Sequence, residues 1–175
     1  MLLELLKKVV SALELRNIPY MLSGSVAMNT YTVPRMTRDI DIVIHLNLSD
    51  IDKFAEIFDE GFYIYKEGIV EEVTRKGMFN IIDFNSGQKI DFIVRKNTPF
   101  HVLEFERRKR SEAYGFSVWI VSVEDLIISK LSWIQVLQSD TQMRDIQSLI
   151  EDNVLDAEYI QFWIKELDLK TFNLL

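Results

Sequence analysis

Every glycine and proline of this 175-residue chain lies at or before Gly115, so its last sixty residues contain no strong helix breaker. Within that stretch, residues 123–136, 141–150 and 157–167 carry apolar side chains at helical spacing, which predicts three helices. Before Gly115 the pattern changes. Short β-branched and aromatic runs at residues 20–22, 40–44, 69–74, 79–84, 89–94 and 116–121 read as strands, with Gly68, Gly77 and Gly87 placed at turns between them. Helical patterns over residues 2–15, from Ser25 onward and over 49–58 interleave with the first strands. These elements predict an α/β (α+β) fold: a mixed β-sheet with flanking helices over residues 1–121, and a C-terminal helical bundle over 122–175 packed on it.

Composition narrows the class further. With 48% hydrophobic residues and only six Gly and three Pro, the chain can bury a core and lacks the make-up of a disordered or fibrous protein. It has no cysteine, which excludes a disulfide framework, a thiolate metal site and a Cys nucleophile, and fits a cytoplasmic location. Glu4, Lys7 and Lys8 interrupt the apolar opening, so neither a signal peptide nor a membrane span is expected there. The net charge is −7, yet residues 1–121 hold 17 acidic and 16 basic side chains while 122–175 hold 10 and 4. The acidity therefore belongs to the tail, and where the remaining acids sit matters more than their sum.

Three short segments carry the chemistry. Residues 20–28 read as a strand ending in the small-residue turn Ser23-Gly24-Ser25, which opens a helix with Ser23 or Ser25 placed to cap it. Such a turn suits a phosphate, although a capped helix with a tight turn gives the same pattern. It lacks the Gly-Lys-Ser/Thr ending of a Walker A loop. In Asp39-Ile40-Asp41-Ile42-Val43-Ile44, strand alternation puts both carboxylates on one side and the isoleucines on the other. Two acids so close call for a cation, and a hard divalent ion is the natural one; a solvated strand end is the alternative. Asp91, set between Ile90 and Phe92 in a third apolar run, has the setting of a strand-end charge more often than of a ligand, yet it would complete a three-carboxylate site if its strand lay beside the second.

This order of strand, Gly24-Ser25, helix, Asp39-x-Asp41 and a later strand bearing one Asp resembles the nucleotidyltransferase superfamily typified by DNA polymerase beta. The run from Met21 to Ile44, with Pro34-Arg35-Met36-Thr37-Arg38-Asp39-Ile40-Asp41, resembles its small prokaryotic AbiEii-type and minimal members. The segments Val123 to Leu131 and Arg144-Asp145-Ile146 look like that group's helical tail. The resemblance implies that Gly24 and Ser25 hold the β and γ phosphates of an NTP. It further implies that Asp39 and Asp41 are paired metal ligands, and that Asp91 is the third, helping to deprotonate the acceptor hydroxyl. Lys130 matches a tail lysine able to approach the triphosphate; pairing with Asp145 is an equally good reading. Ser25 stands where many relatives have a second glycine.

The activity so implied is transfer of a nucleoside monophosphate from an NTP to an acceptor hydroxyl with release of pyrophosphate, using two Mg²⁺ ions or Mn²⁺ in their place. The acceptor is left open among tRNA, protein and small molecules, and a toxin held by an antitoxin protein is one setting. A catalytically silent nucleotide-binding or protein-interaction module of the same fold is the alternative. His45 and His101 read as structural or surface residues, and Arg107-Arg108-Lys109-Arg110 as a solvated helix end, with contact to a phosphate backbone, were the acceptor RNA, as the alternative. Trp119, Trp133 and Trp163 read as core packing.

Overall fold

The computed structural model describes residues 2–175. Helix α1 (Leu2–Leu15) buries Leu5, Leu6, Val9, Val10 and Leu13, a stripe at three-to-four spacing that joins the main hydrophobic core. It is followed by β1 (Tyr20–Ser23), α2 (Gly24–Met28), β2 (Ile40–Ile44) and α3 (Ile51–Ala55), the last flanked by 3₁₀ turns at Leu48–Asp50 and Glu56–Phe58. Next come β3 (Phe62–Tyr63), α4 (Lys66–Arg75), β4 (Met78–Asp83), β5 (Lys89–Val94), α5 (Pro99–Glu106), β6 (Lys109–Ser111) and β7 (Val118–Ile120). Helices α6 (Val123–Ile134), α7 (Asp140–Asp152) and α8 (Ala157–Glu166) complete the described chain.

The strands form one seven-stranded sheet in the order β3-β4-β5-β2-β1-β7-β6. It is mixed: β2/β5 and β1/β7 are parallel, and the other neighbours are antiparallel. Because side chains alternate, one face carries Ile40, Ile42 and Ile44 beside Ile90, Phe92 and Val94, all essentially solvent-free. Phe54, Phe58 and Phe79 meet Phe92 there, with ring centroids 5.2–5.6 Å apart. Asp41 and Asp91 fall on the opposite face.

Two corrections concern local structure. Residues 69–74 are not a strand but part of α4, with Gly68 inside the helix rather than in a turn. Ile69 and Val73, four residues apart, are buried while Val70 and Thr74 face out, so helical periodicity prevails over β-branched content. The short helix α5 and the edge strands β3 and β6 lie outside the elements that the sequence pattern predicts.

Helix α6 ties the tail to the sheet layer, packing on α2, α7 and α8. Ser122 caps it by accepting from the Asp125 backbone N–H, and donates its hydroxyl to Asp125 Oδ2 at 2.6 Å. Asp125 is fully buried and also receives Arg107 Nε at 3.0 Å and the Tyr159 hydroxyl at 2.6 Å. The basic run is therefore only in part a solvated helix end: it follows α5 and Lys109 and Arg110 are exposed, but Arg107 and Arg108 are half-buried. Arg107 joins this buried network and lies over the Tyr159 ring, while Arg108 and Arg110 lie over Trp119 and Arg110 pairs with Glu14.

Candidate active site

The site begins where β1 ends. Gly24 turns the chain with φ +59°, a left-handed conformation that other residues adopt only under strain. Its missing Cβ is also a matter of space: a methyl there would overlap Asp41 Oδ2 and stand 2.7 Å from Asp41 Cγ. Glycine thus lets the turn and the acid strand touch. Ser23 occupies the N-cap position of the five-residue α2 but its side chain caps nothing. Ser25 Oγ instead accepts from Arg35 Nη2 at 2.8 Å, so neither serine caps the helix as the sequence suggested.

Sheet register brings the acids together. Ser23 is opposite Asp41 in the β1/β2 pair, and Asp41 opposite Asp91 in the β2/β5 pair. Asp39, Asp41 and Asp91 border one cavity of about 310 Å³ together with Ser23, Gly24, Ser25 and Lys130. Asp39 is exposed and Asp91 is 7% exposed. Burial, followed by repulsion from Asp91 and Asp39, holds the Asp41 carboxyl above its ordinary range against the pull of Lys130 and Lys89. Lys89, two residues before Asp91 on β5, donates to Asp91 Oδ2 at 2.7 Å, and that bond raises its ammonium above the usual lysine range.

The donor set fits a hard divalent cation, since it offers carboxylate oxygens only and leaves one of them destabilised by its like-charged neighbours. Among the described residues, however, no three acidic or histidine side chains are gathered closely enough to form a ready cage. Lys89 occupies the Asp91 carboxylate instead.

On the tail side, Lys130 is 4% exposed and donates to Asp145 Oδ2 and Gln142 Oε1, both at 2.9 Å. Lys130 pairs with Asp145 and also borders the cavity, so the two readings that its sequence position allows are compatible. Asp145 also takes two bonds from Arg35, Nε to Oδ1 at 3.1 Å and Nη2 to Oδ2 at 2.8 Å. Burial alone would raise Asp145, but the bonds from Arg35 and Lys130 outweigh it and hold the carboxyl below the usual range. Burial pushes the Lys130 ammonium down, against that same partner. One carboxylate on α7 thus fixes two cations beside the Gly24-Ser25 turn. Arg35 reaches it because Asn29 clamps its backbone, with Arg35 N–H donating to Asn29 Oδ1 and Asn29 Nδ2 to Arg35 O.

Sequence reasoning missed several residues that line the same cavity: Thr37, Met78, Ile93, Leu126, Ser129, Trp133 and Gln142. The helical spacing of Leu126, Ser129, Lys130 and Trp133 was the available signal, since one face of α6 holds them all. The histidines lie elsewhere. His45 packs edge-on to Phe105 beside Arg95, and His101 bonds Thr98.

The fold, a mixed sheet backed by a helical tail, is shared with several solved structures. The chain resembles the solution structure of the antibiotic-resistance factor ANT(2'')-Ia, with TM-score 0.62, 14% identity, and 95% of this chain and 90% of that one covered. It also resembles ANT(2'')-Ia in complex with adenylyl-2''-tobramycin, with TM-score 0.58, 17% identity, and 95% and 96% covered. A third similar structure is an antigenic nucleotidyltransferase-like protein from Paracoccidioides brasiliensis, with TM-score 0.61, 22% identity, and 94% and 86% covered. Residues 12–147 match the family model of the nucleotidyl transferase AbiEii toxin of type IV toxin–antitoxin systems. The chain belongs to that family and is a nucleotidyltransferase. No curated protein matches it in sequence. No described helix is long and apolar enough to cross a membrane.

Proposed function

We propose that this enzyme transfers a nucleoside monophosphate from an NTP to an acceptor hydroxyl in a magnesium-dependent reaction, and acts as the toxin of a toxin–antitoxin pair. The observation that carries the reading is the joint lining of one cavity by Asp39, Asp41, Asp91, Gly24, Ser25 and Lys130. Asp39, Asp41 and Asp91 would hold two Mg²⁺ ions. When bound, such ions neutralise phosphate charge and favour ionisation of an attacking hydroxyl. The backbone at Gly24 and Ser25 would receive the β and γ phosphates, with the Lys130 ammonium alongside to offset their charge. Asp91, facing the cavity from β5, would take the proton of the acceptor hydroxyl as that oxygen attacks the α phosphorus. Pyrophosphate would leave through the side of the cavity bounded by Gly24, Ser25 and Lys130. The adenylyl-2''-tobramycin bound to ANT(2'')-Ia supports an acceptor hydroxyl as the type of group modified.

The test is calorimetry of Mg²⁺-dependent NTP binding, followed by labelling of a cell lysate with each α-labelled NTP. Binding should vanish in the Asp39→Ala, Asp41→Ala double variant. Asp91→Asn should label about 10²–10⁴-fold more slowly than wild type. Unchanged binding in the double variant would overturn the site assignment. The labelled species identifies the acceptor, and growth arrest on expression, relieved by a neighbouring gene product, tests the toxin role.

A further inference from the structure

The three tryptophans are treated very differently by the fold. Trp163 is 8% exposed and packs against Phe100, Tyr159 and Phe162. Trp119 carries the Arg108 and Arg110 guanidinium groups on its ring. Trp133 is 65% exposed and, among the described residues, has neither an aromatic nor a cationic partner. It is nevertheless placed by a rigid element. Its α6 neighbours Leu131 and Ile134 are fully buried, and it borders the catalytic cavity one turn beyond Lys130.

Other large aromatics are also exposed, Phe84 at 67% and Tyr65 at 58% among them, but Trp133 is the one that borders the cavity, and that position gives it a use. The acids, the Gly24-Ser25 turn, Lys130 and Gln142 supply charge and hydrogen bonds, which suit phosphates and hydroxyls but offer nothing to a flat apolar ring. The apolar part of the lining is Trp133 together with Met78, itself 48% exposed, and Ile93 and Leu126. An NTP has one flat ring system, its base, and every base presents a π-face on which an indole can stack. We infer that Trp133 is the stacking platform for the base of the incoming NTP, anchoring it while the polar part of the cavity holds the triphosphate. This rests on the nucleotidyl-transfer reading above. Stacking of this kind tolerates any base, so Trp133 strengthens binding of all four NTPs and leaves the choice among them to other contacts.

The test compares each NTP with inorganic tripolyphosphate, both with Mg²⁺, by calorimetry on wild type, Trp133→Ala and Trp133→Phe. Tripolyphosphate has the phosphates and lacks the base. Trp133→Ala should bind NTP about 5- to 150-fold more weakly and tripolyphosphate as well as wild type does, while Trp133→Phe should recover most of the loss. The indole emission of wild type should also change on adding ATP, and that change should be lost in Trp133→Phe. Equal weakening toward NTP and tripolyphosphate means a structural role and overturns the inference. No weakening toward either overturns it too, and leaves Trp133 free to serve the acceptor. If wild type binds tripolyphosphate but no NTP more tightly, the base has no platform; if it binds neither, the nucleotidyl-transfer reading falls along with the inference.

Discussion

Placing a methyl at residue 24 tests the contact on which the whole site depends. Gly24→Ala asks an L-residue to adopt φ +59°, which costs roughly 1–2 kcal/mol by itself. Its Cβ would also overlap Asp41 Oδ2 and lie 2.7 Å from Asp41 Cγ, too close for either to stay, while the 3.0 Å to Asp41 Cβ asks for only a small adjustment. The backbone of β2 is held in register on both sides, by β1 and by β5, so the strand cannot retreat. The Asp41 side chain must rotate instead, at roughly 0.5–1.5 kcal/mol if it leaves a rotamer minimum. Gly87→Ala is the matched control, because Gly87 has φ +65° and open space where its Cβ would be. The control should lose only the left-handed cost. Gly24→Ala should lose about 2–3 kcal/mol, or very roughly 4–12 °C in Tm for a chain of this size. The sharper difference lies in binding: if Asp41 holds metal as proposed, changing the residue that positions it should weaken metal affinity by about 10–100-fold. Calorimetry of Mg²⁺ with ATP should show that loss in Gly24→Ala and near-wild-type binding in Gly87→Ala. Equal binding by the two variants would refute the claim that the bare Cα of Gly24 positions Asp41.

Two further expectations concern stability. Glu104 is 3% exposed, and burial pushes its carboxyl up to about 8 despite the bond from Ser129 Oγ at 2.6 Å. Between its ordinary value of 4.5 and about 8 the native state holds a proton that the unfolded chain has lost. Its contribution is therefore full at acid pH and declines as pH rises, with a slope approaching about 1.4 kcal/mol per unit. Glu104→Gln should flatten that slope in urea titrations between pH 5 and 8; identical pH dependence would contradict it. Arg107→Ala leaves fully buried Asp125 with only the Ser122 and Tyr159 hydroxyls and should cost about 3 kcal/mol or more in urea unfolding. A loss under about 1 kcal/mol would show that Arg107 contributes little there.

What the sequence revealed follows the range of the interactions involved. Strands 40–44 and 89–94 and helix 2–15 were legible to the residue, because each is set by its own alternation or periodicity. Residues 69–74 misled because β-branched content and helical spacing disagreed there, and the burial of Ile69 and Val73 decided the matter. Strands of two and three residues, β3 and β6, have no pattern long enough to read; partner strands impose them. At the site, the parity of Asp39 and Asp41 was readable, but the register opposing Asp41 to Asp91 is a pairing across fifty residues. The Arg35–Asp145 clamp spans 110 residues, and nothing local to either side chain announces it. Trp133, which its apolar spacing assigns to the core, is 65% exposed for the same reason. Apolar spacing marks a residue as belonging to a helix face, and only the packing of α6 decides whether that face ends in core or in cavity.

Those long-range contacts also settle what the chain's charge means. Around the cavity, the carboxylates of Asp39, Asp41, Asp91 and Asp145 stand against the cations of Lys89, Lys130 and Arg35, so the site carries one surplus negative charge before any metal enters. The tail beyond residue 121, with ten acidic and four basic side chains, accounts for most of the −7. Pairing is what lets four acids fold into so small a space, since Lys89 and Lys130 hold down repulsion that would otherwise oppose the β2/β5 register. The same pairing means that divalent ions bound by these acids would turn the cavity positive at once, because Lys130 and Arg35 are already fixed there by Asp145 rather than by the acids that would take the metal. A triphosphate would then meet a basic pocket in an acidic protein. Bulk charge consequently says nothing about whether the acceptor is itself an anion such as RNA; only the surface around the cavity mouth, where Trp133 and Met78 stand, can influence that choice.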